Sequence, residues 1–583
     1  MPLTGDLMER MARELLGREG VDPALMAESA DRLRGLLARV RAADEVALQG
    51  IAPAFRFDPA QPSYTDVAPQ DPPVWSGVAQ SGGGTGYGGA GGTTGVVAPP
   101  PVPGGGVAVI TDGPEYLWWS AADLAKAIRR RKLSPVEVTR TVLDRIVATQ
   151  PSLNAFVTVT AEQALQEARA AEVAAARGRF AGPLHGVPVA LKDLIETAGV
   201  RTTAGSKVLA ENVPQVDATC VQRLRGAGAV LVGKTATHEF AFGPTTDSPY
   251  LGPTRNPWRT DCVPAGSSGG SGAAVAAGLV PVALGTDTGG SIRMPAAACG
   301  TFGLKPTYGR VSKAGVLSLS WSLDHLGPLT RTAGDAALVL AVLAGPDPLD
   351  PTALPVPVVD YVGAVARAGL GLRGISLGIP EAWLAERIDP EVLAHFRRSV
   401  ALLQGLGAEV VEVTLPPADV MTFVNRLITL GEVGAYHAPF LARRADDYAP
   451  DVRARVELGQ FILARDYLTG QRLRGELARQ MAAVMRRVDV ILTPTMPIPA
   501  PRIGQGIWDF GGTRETVQEA MIRFTAPFSV SGQPAASVPC GLTEAGLPVG
   551  LQIVGRPLEE AVVLRIAAAY EQAAGLPGRP PGF

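Results

Sequence analysis

The segment between Pro72 and Thr111 carries no charged side chain and is rich in glycine and proline. Such a stretch cannot bury enough apolar surface to offset the entropy lost on ordering, so it predicts a flexible linker, stiffened by the three prolines at 99–101. We place this linker at 66–113, between a small head at 1–65 and a large body at 114–583. Any fold for this chain therefore consists of two parts joined by a tether.

The head is predicted to be helical. Apolar residues recur at helical spacing in Met8–Leu15 and again in Met26–Val40, and Asp22 with Pro23 has the N-cap and first-turn pattern of a second helix. The segment Arg39–Pro59 resembles the tail of the small C subunit of tRNA-dependent amidotransferases, a two-helix protein that wraps its catalytic partner. The resemblance implies that the head docks on the body of its own chain. The alternative is an ordinary helical hairpin.

Charge and cysteine content exclude several classes of function. The 53 Lys and Arg residues balance 55 Asp and Glu residues, without a basic block, so no nucleic-acid partner is expected. The four cysteines lie far apart and predict neither a disulfide framework nor a zinc site. The longest apolar run, Ala273–Gly285, is too short to span a membrane, and the charged N-terminus is unlike a signal peptide. We expect a cytoplasmic protein with no membrane partner.

The body has the pattern of an α/β fold. Short β-branched runs such as Val187–Leu191 and Ala229–Gly233 are flanked by glycine or proline, as expected for buried strands of a sheet covered on both faces. These runs alternate with helical segments rich in alanine and leucine, two of which begin at the N-cap candidates Ser120 and Ser134.

Lys192 ends one of the predicted strands, in the sequence HGVPVALKDLIETAG. Neighbouring residues on a strand point to opposite faces, so Asp193 need not neutralise this ammonium group. By itself the pattern is also that of an ordinary lysine emerging at a strand end.

Two glycine- and serine-rich stretches are further candidates for chemistry. Pro264–Gly272 reads PAGSSGGSG and leads into a helical run, an arrangement that presents backbone amides and hydroxyls to negative charge. In Gly285–Gly300, which reads GTDTGGSIRMPAAACG, Gly289 and Gly290 precede Ser291. Two glycines let the backbone turn its N–H groups towards one point beside a hydroxyl, as an oxyanion hole requires.

Together these three motifs resemble the amidase signature family, and the spacing of Lys192, Ser267 and Ser291 is typical of it. The resemblance extends from about Leu117 to Ala574, through NAFVTV, GKTATHEFAFG, NPW, GLKPTYGRVS, SLDHLGPLTR, ILTPTMP and GLPVGLQIVG. It implies an α/β/α fold around a central twisted mixed sheet.

The catalytic residues of the family carry over by position. The resemblance implies that Ser291 is the nucleophile, that Ser267, preceded by a cis peptide, passes protons, and that Lys192 is the base. It also implies an oxyanion hole formed by the backbone N–H groups of Thr288, Gly289, Gly290 and Ser291. No metal or organic cofactor is expected.

A serine hydroxyl is a weak nucleophile without a base, and lysine acts as a base only when it is neutral. The pKa of Lys192 must therefore fall from ~10.4 to near 7, and burial beside hydroxyls supplies such a change. We expect Ser268 to hydrogen-bond in the same network, and Asp287 and Arg293 to form a partly buried ion pair. Ala265 stands where family members usually have glycine, which the loop tolerates if its φ is negative.

The resemblance implies an amidase that hydrolyses a C–N amide-type bond of a small molecule through a serine acyl-enzyme. Carbamates, ureas and aryl esters are further candidate substrates. We expect Trp321, Phe524 and the segment 421–450 to line the pocket. The alternative is the A subunit, a glutaminase, of a tRNA-dependent amidotransferase. Because Ile428–Tyr448 lacks the usual substrate-loop sequence of that subunit, a free-standing hydrolase is preferred. A homodimer is an open alternative.

Three competing interpretations use some of the same residues. Gly228–Thr235 satisfies the Walker A pattern, but its middle residues have the pattern of a buried strand. Gly266–Gly270 satisfies the nucleophile-elbow pattern around Ser268, but the residues before it do not resemble a strand. A purely structural subunit would have no use for the triad.

Overall fold

The computed structural model of the protein describes residues 113–575 and 578–583. The predicted head at 1–65 and all but the last residue of the predicted linker at 66–113 lie outside these residues. The predicted docking of the head therefore lies outside them as well.

The helices fall throughout the described part of the chain. They are α1 (Ala121–Arg129), α2 (Pro135–Leu153), α3 (Ala161–Ala176), α4 (Thr219–Gly226), α5 (Gly269–Ala276), α6 (Arg293–Cys299), α7 (Ala333–Leu343), α8 (Tyr361–Ala366), α9 (Glu381–Leu384), α10 (Pro390–Gly405), α11 (Ala418–Arg444), α12 (Pro450–Gly459), α13 (Ala464–Met485), α14 (Val517–Ile522), α15 (Ala526–Val530) and α16 (Glu560–Ala574). Short 3₁₀ turns lie at Glu115–Trp118, Lys207–Leu209, Glu239–Ala241, Ala368–Leu370 and Ala445–Asp447.

The strands are β1 (Phe156–Val159), β2 (Pro188–Lys192), β3 (Val230–Thr235), β4 (Asp247–Ser248), β5 (Gly252–Pro253), β6 (Val282–Asp287), β7 (Phe302–Lys305), β8 (His325–Thr330), β9 (Ser376–Ile379), β10 (Glu409–Glu412), β11 (Val490–Pro494), β12 (Ile507–Asp509), β13 (Arg514–Thr516), β14 (Ala535–Leu542) and β15 (Pro548–Gly555). Within the described residues, one sheet has 11 strands in the order β1-β3-β2-β6-β8-β7-β14-β15-β11-β9-β10.

The sheet is mixed, as the family resemblance implied. β2 pairs in parallel with both β3 and β6, and β9 pairs in parallel with β10 and β11, whereas the other neighbours are antiparallel. The predicted strands at 187–191 and 229–233 are present as β2 and β3, displaced by one or two residues. Every residue of β2, β3 and β6 is buried, as required of strands covered on both faces.

The predicted helix starts are also present. The Ser120 side chain accepts a hydrogen bond from the N–H of Asp123 at the start of α1, and Ser134 caps the first turn of α2 in the same way. No helix among residues 113–575 and 578–583 is long and apolar enough to cross a membrane.

The ends of the central parallel strands position the candidate site. β2 ends at Lys192 and β6 ends at Asp287, and because the two strands are parallel these ends lie at the same edge of the sheet. The loop that contains Ser267 leads into α5, and the turn that contains Ser291 leads from β6 into α6. Three distant parts of the sequence thus converge at one edge.

Candidate active site

Lys192 is fully buried at the end of β2. Its Nζ lies 2.8 Å from Ser267 Oγ and 2.8 Å from Thr286 Oγ1, so both of its hydrogen-bond partners are hydroxyls. Burial lowers the pKa of Lys192 to about 7, and the more distant charges of Asp324 and Asp287 only partly oppose this effect. A large fraction of this amine is therefore neutral near pH 7.

Ser267 follows a cis peptide bond to Gly266, as the family resemblance implied. Its backbone carbonyl accepts a hydrogen bond from the N–H of His238 at 3.1 Å. Thr246 Oγ1 donates to the carbonyl of Ala265 in the same loop at 2.9 Å. Two hydrogen bonds from residues outside the loop, one from a backbone N–H and one from a side-chain hydroxyl, therefore hold carbonyl groups of the loop that carries Ser267.

Ala265 differs from the expectation. Its φ is +59°, in the left-handed region, and not the negative value on which its tolerance was argued. The residue is fully buried and packs in an apolar cluster with Met294, Ala297 and Ala298. The glycine that family members usually have here was the available signal for this conformation, which an alanine adopts only at a cost.

Ser268 joins the network through the backbone of Thr286. Its Oγ donates to the Thr286 carbonyl at 3.2 Å and accepts from the Thr286 N–H at 3.3 Å. Its own N–H donates to the carbonyl of Ser291 at 3.2 Å. Ser268 therefore links the loop of Ser267 to β6 and to the turn of Ser291, and does not contact Lys192 in these hydrogen bonds.

Ser291 lies in the turn after β6, on the wall of a cavity. Gly290 in the same turn has a φ of +142°, and a Cβ there would lie 2.2 Å from Thr525 Oγ1, so only glycine fits. Within the described part of the chain, no acceptor takes the backbone N–H of Gly289, Gly290 or Ser291. These amides are available to a ligand, which is the condition for an oxyanion hole.

The ion pair between Asp287 and Arg293 is fully buried, where the sequence predicted partial burial. The two groups lie 2.8 Å apart, and Arg293 also donates to the Gln552 side chain and to the carbonyl of Thr525. Burial raises the pKa of Asp287, but the charge and hydrogen bonds of Arg293 outweigh it and hold that pKa well below its usual range. The pair ties the start of α6 to the end of β6.

A cavity of about 160 Å³ opens beside Ser291. We call Lys192, Ser267, Thr286 and Ser291 the polar floor. The helical wall is formed by the cavity residues of α11, α12 and α14, which are Asn425, Arg426, Thr429, Leu430, Arg455, Leu458, Gln518 and Ile522. Other lining residues are Ala241, Phe242, Gly243, Pro244, Thr288, Gly289, Met294 and Leu319.

The segment 421–450 contributes to this wall, but the two aromatic residues expected beside it do not. Phe524 is fully buried and stacks on Trp383, with the ring centroids 6.1 Å apart. Trp321 is 44% exposed, and its carbonyl accepts a hydrogen bond from the Tyr308 hydroxyl. Neither lines the cavity, because the first belongs to the apolar core and the second to the surface.

Several residues at the site were not singled out from the sequence. Thr286 and Asp324 stand inside quoted motifs, GTDTGGS and SLDHLGPLTR, so their position was a usable signal. Asn425 and Thr525 contact the turn before Ser291. Asn425 lies in the predicted pocket segment 421–450 but was not singled out within it, and the pattern around Thr525 gave no indication of a role. The Walker-like lysine, Lys234, is on strand β3 and donates to Thr202 Oγ1 in the interior.

The site contains the parts of an enzyme that transfers acyl groups through serine. These parts are a buried amine of lowered pKa, two serine hydroxyls, and the turn at 288–291, which we call the glycine turn and whose amides at 289–291 have no acceptor among the described residues. The comparison with known families agrees with this class. The Amidase family model matches residues 137–564, and the chain belongs to the amidase signature family, whose members act on C–N amide bonds.

Relatives of two kinds are similar over most of the described body. An amidase of Pseudomonas putida is 46% identical over 454 residues, which cover 78% of this chain and 95% of that protein. The A subunit of the glutamyl-tRNA(Gln) amidotransferase of Geobacter metallireducens is 42% identical over 475 residues, or 77% and 96% of the two chains. A solved structure described as a vestigial complex that reveals the origins of an s-triazine catabolic enzyme has a TM-score of 0.75 at 37% identity, covering 79% of this chain and all of that one.

Proposed function

We propose that this protein hydrolyses a small amide by acyl transfer through Ser291. The observation that carries the proposal is the contact between Lys192 Nζ and Ser267 Oγ at 2.8 Å, made by an amine whose pKa is near 7. Neutral Lys192 takes the proton of Ser267 while Ser267 takes that of Ser291. The Ser291 oxygen then attacks the substrate carbonyl, and the oxyanion receives hydrogen bonds from the amides of the glycine turn.

The second half of the reaction returns the proton. Collapse of the tetrahedral intermediate breaks the C–N bond, and the leaving nitrogen receives the proton that Lys192 holds. Water then attacks the acyl-enzyme, with the same relay as base, and releases the carboxylic acid and free Ser291. No step needs an oxidant, a metal or a second substrate besides water.

The volume of the cavity favours a substrate with one compact apolar group. Its volume is close to that of an engineered apolar cavity of ~150 Å³ that binds benzene. Ten of its 17 lining residues are apolar or glycine, and among the described residues no carboxylate lines it, whereas Arg426 and Arg455 do. Both guanidinium groups are paired with carboxylates, Arg426 with Glu519 at 3.3 Å and Arg455 with Asp451 at 2.5 Å. Glutamine carries a carboxylate as well as an ammonium group, so we rank uncharged amides first on the apolar part of the lining alone.

The second candidate function is the A subunit of a tRNA-dependent amidotransferase. Two observations favour it: the 42% identity to such a protein over 96% of its length, and the resemblance of Arg39–Pro59 to the small C subunit. In that case the chain would act as a glutaminase and would need a further protein as its partner. The apolar residues of the cavity lining argue for the free-standing hydrolase.

Labelling with a fluorophosphonate tests the nucleophile. We expect one adduct per chain, located on Ser291 by mass spectrometry, and none on the Ser291→Ala variant. An adduct on Ser268 with Ser291 unmodified would contradict the proposal.

A substrate panel separates the two functions. The isolated chain is incubated with benzamide, butyramide, anilides and glutamine, and released amine or ammonia is measured. We expect turnover of the uncharged amides and little turnover of glutamine. Glutamine hydrolysis alone, or hydrolysis that appears only after addition of a partner protein, would decide for the amidotransferase.

A further inference from the structure

The side chains of Asn425 and Thr525 donate hydrogen bonds to two carbonyl groups of the glycine turn. Asn425 Nδ2 donates to the carbonyl of Thr288 at 2.9 Å, and Thr525 Oγ1 donates to the carbonyl of Gly289 at 2.6 Å. Both side chains are buried. Neither Asn425 nor Thr525 belongs to the polar floor, and neither contacts Lys192, Ser267 or Ser291 through these bonds.

The geometry of the peptide bond turns these contacts into an orientation of the amides. Both peptides of this turn are trans, so each carbonyl and the N–H of the next residue point in opposite directions. The bond from Asn425 therefore fixes the direction of the Gly289 N–H, and the bond from Thr525 fixes that of the Gly290 N–H. These are two of the N–H groups that lack an acceptor among the described residues.

We propose that Asn425 and Thr525 are positioning residues that aim the amides of Gly289 and Gly290 at the oxyanion. The inference rests on the proposed acyl transfer through Ser291 and adds two residues to it. An oxyanion hole is effective because its donors are fixed before charge develops, so a peptide that is free to rock loses part of the stabilisation.

Further contacts around Thr525 restrict the rotation of these two peptides. Arg293 Nη1 donates to the carbonyl of Thr525 at 2.9 Å, so the buried ion pair with Asp287 also holds the residue that holds Gly289. A Cβ at Gly290 would lie 2.2 Å from Thr525 Oγ1, which shows how closely the threonine packs on the turn. Asp287 thus pairs with Arg293, Arg293 donates to Thr525, and Thr525 donates to the carbonyl of Gly289. The N–H of Gly290 is oriented at the end of this series of contacts.

The two positioning residues differ in what else they contact. Asn425 lies on α11 and forms part of the helical wall, whereas Thr525 does not line the cavity. A change at Asn425 is therefore expected to alter KM and kcat together. A change at Thr525 is expected to alter kcat alone, because substrate binding in the ground state does not involve it. This difference gives the proposal a readout that a purely structural role would not produce.

Thr525→Val and Thr525→Ser form the central test, since valine keeps the shape and serine keeps the hydroxyl. The amide of the panel that is hydrolysed fastest is the substrate, and phenylboronic acid, which adds to the nucleophile and places an oxygen in the hole, is the inhibitor. We expect Thr525→Val to lower kcat by about tenfold or more with KM changed less than about threefold, and to weaken inhibition by a similar factor. Thr525→Ser is expected to stay within about threefold of the parent in both.

The control is Thr139→Val on α2, which makes the same chemical change at a buried position. Among the described residues Thr139 Oγ1 has no hydrogen-bond partner, so this variant should keep kcat, KM and inhibition. Asn425→Asp is the second variant, because it keeps the size but replaces the amide donor with an acceptor. We expect it to lower kcat at least as much as Thr525→Val and to change KM.

The inference is overturned if Thr525→Val folds and has the same kcat and the same inhibition as the parent. It is also overturned if Thr525→Ser loses as much activity as Thr525→Val. If Thr525→Val does not fold, an unchanged kcat in folded Asn425→Asp overturns it. Activity that persists in Ser291→Ala overturns the proposed function instead, and with it this inference. Loss in Ser291→Ala without any effect at 425 and 525 overturns the inference alone.

Discussion

The polar floor reaches the cavity through Ser291, whereas every residue of the helical wall lines it, and the two are built in different ways. The floor comes from short stretches at the ends of β2 and β6 and from one loop, tied together by hydrogen bonds among Lys192, Ser267 and Thr286. The wall comes from α11, α12 and α14, which follow more than a hundred residues later in the chain. Under the proposed function, the reaction chemistry would depend on a few atoms at fixed distances, and substrate choice would depend on the shape of a helical surface.

Lys192→Met gives the largest expected effect on the floor. The substitution removes the base but keeps the volume of the side chain, so we expect kcat to fall by roughly 10³-fold, within the 10²–10⁴ range for general bases, while the fold is retained. Steady-state kinetics and circular dichroism measure the two outcomes. A folded variant with parental kcat near pH 7 would remove the relay and the proposed function with it.

Lys234→Met is the matched control. Lys234 is also a buried lysine, on the adjacent strand β3, and burial lowers its pKa to about 8. Its Nζ contacts Thr202 and the carbonyl of Ile195, and no serine of the floor. We expect Lys234→Met to lower thermal stability and to retain kcat within about threefold of the parent, well short of the loss of a general base. Equal losses of activity in both lysine variants would mean that burial, and not contact with Ser267, explains the effect.

Arg293→Met is expected to have the next largest effect, on stability. It leaves Asp287 buried without its partner, and breaking a buried pair in this way costs about 3–5 kcal/mol. Urea unfolding followed by circular dichroism measures the change. The control is Arg397→Met, which removes the half-exposed pair with Glu381 and should cost no more than about 1 kcal/mol. Similar losses in the two variants would show that the buried pair contributes no more than a surface pair.

The pH dependence of the floor follows from the lowered pKa of Lys192, which is about 7. Only the neutral amine accepts a proton, so kcat/KM should rise about tenfold per pH unit below pH 7 and level off above it. The unfolded chain binds more protons than the folded one between pH 7 and ~10.4, so stability should rise with pH across this window relative to Lys192→Met. A rate profile with its maximum near pH 5 would contradict lysine as the base.

The difference between the polar floor and the helical wall also explains which residues of the site could be predicted from the sequence. Lys192, Ser267 and Ser291 lie in motifs that resemble the amidase signature family, so their convergence at one edge of a mixed sheet could be expected, while their catalytic roles stay a prediction. The wall has no such motif, since any aliphatic residue of suitable size serves there. For that reason Trp321 and Phe524 were wrongly expected to line the cavity.

Contacts between distant segments also could not be predicted from the sequence. Asn425 and Thr525 reach the glycine turn from 137 and 236 residues away, and their roles depend on tertiary packing that no local pattern encodes. The full burial of the Asp287–Arg293 pair depends in the same way on α15 and β15, which supply Ser529 and Gln552. Local chemistry was predictable, whereas the supports around it were not.

Leu458→Ala tests the wall with a smaller expected effect. Leu458 lines the cavity from α12, and shortening it should raise KM for a one-ring amide by about tenfold, since a few methylene contacts are worth ~1–2 kcal/mol. The kcat and the midpoint of the pH profile should not change, because the floor is untouched. Leu477→Ala on α13 is the control, since it shortens an equally buried leucine away from the cavity. A fall in kcat without a rise in KM for Leu458→Ala would mean that floor and wall are not separable.

Ala265→Gly is expected to have the smallest effect, because opposing contributions nearly cancel at this position beside Ser267. Glycine relieves the left-handed conformation, which costs an L-residue about 1–2 kcal/mol. It also loses a buried methyl group, worth about 0.8 kcal/mol, and raises the entropy of the unfolded chain by about 0.4–1 kcal/mol. The free energy of unfolding should therefore change by less than about 1 kcal/mol. Ala265→Val should lower it by more than about 2 kcal/mol, because a β-branched residue is poorly tolerated in this region and the surrounding cluster is packed. Stabilisation by glycine well above 1 kcal/mol would mean that the methyl group packs poorly, and that the floor is less tightly supported at this loop than its hydrogen bonds suggest.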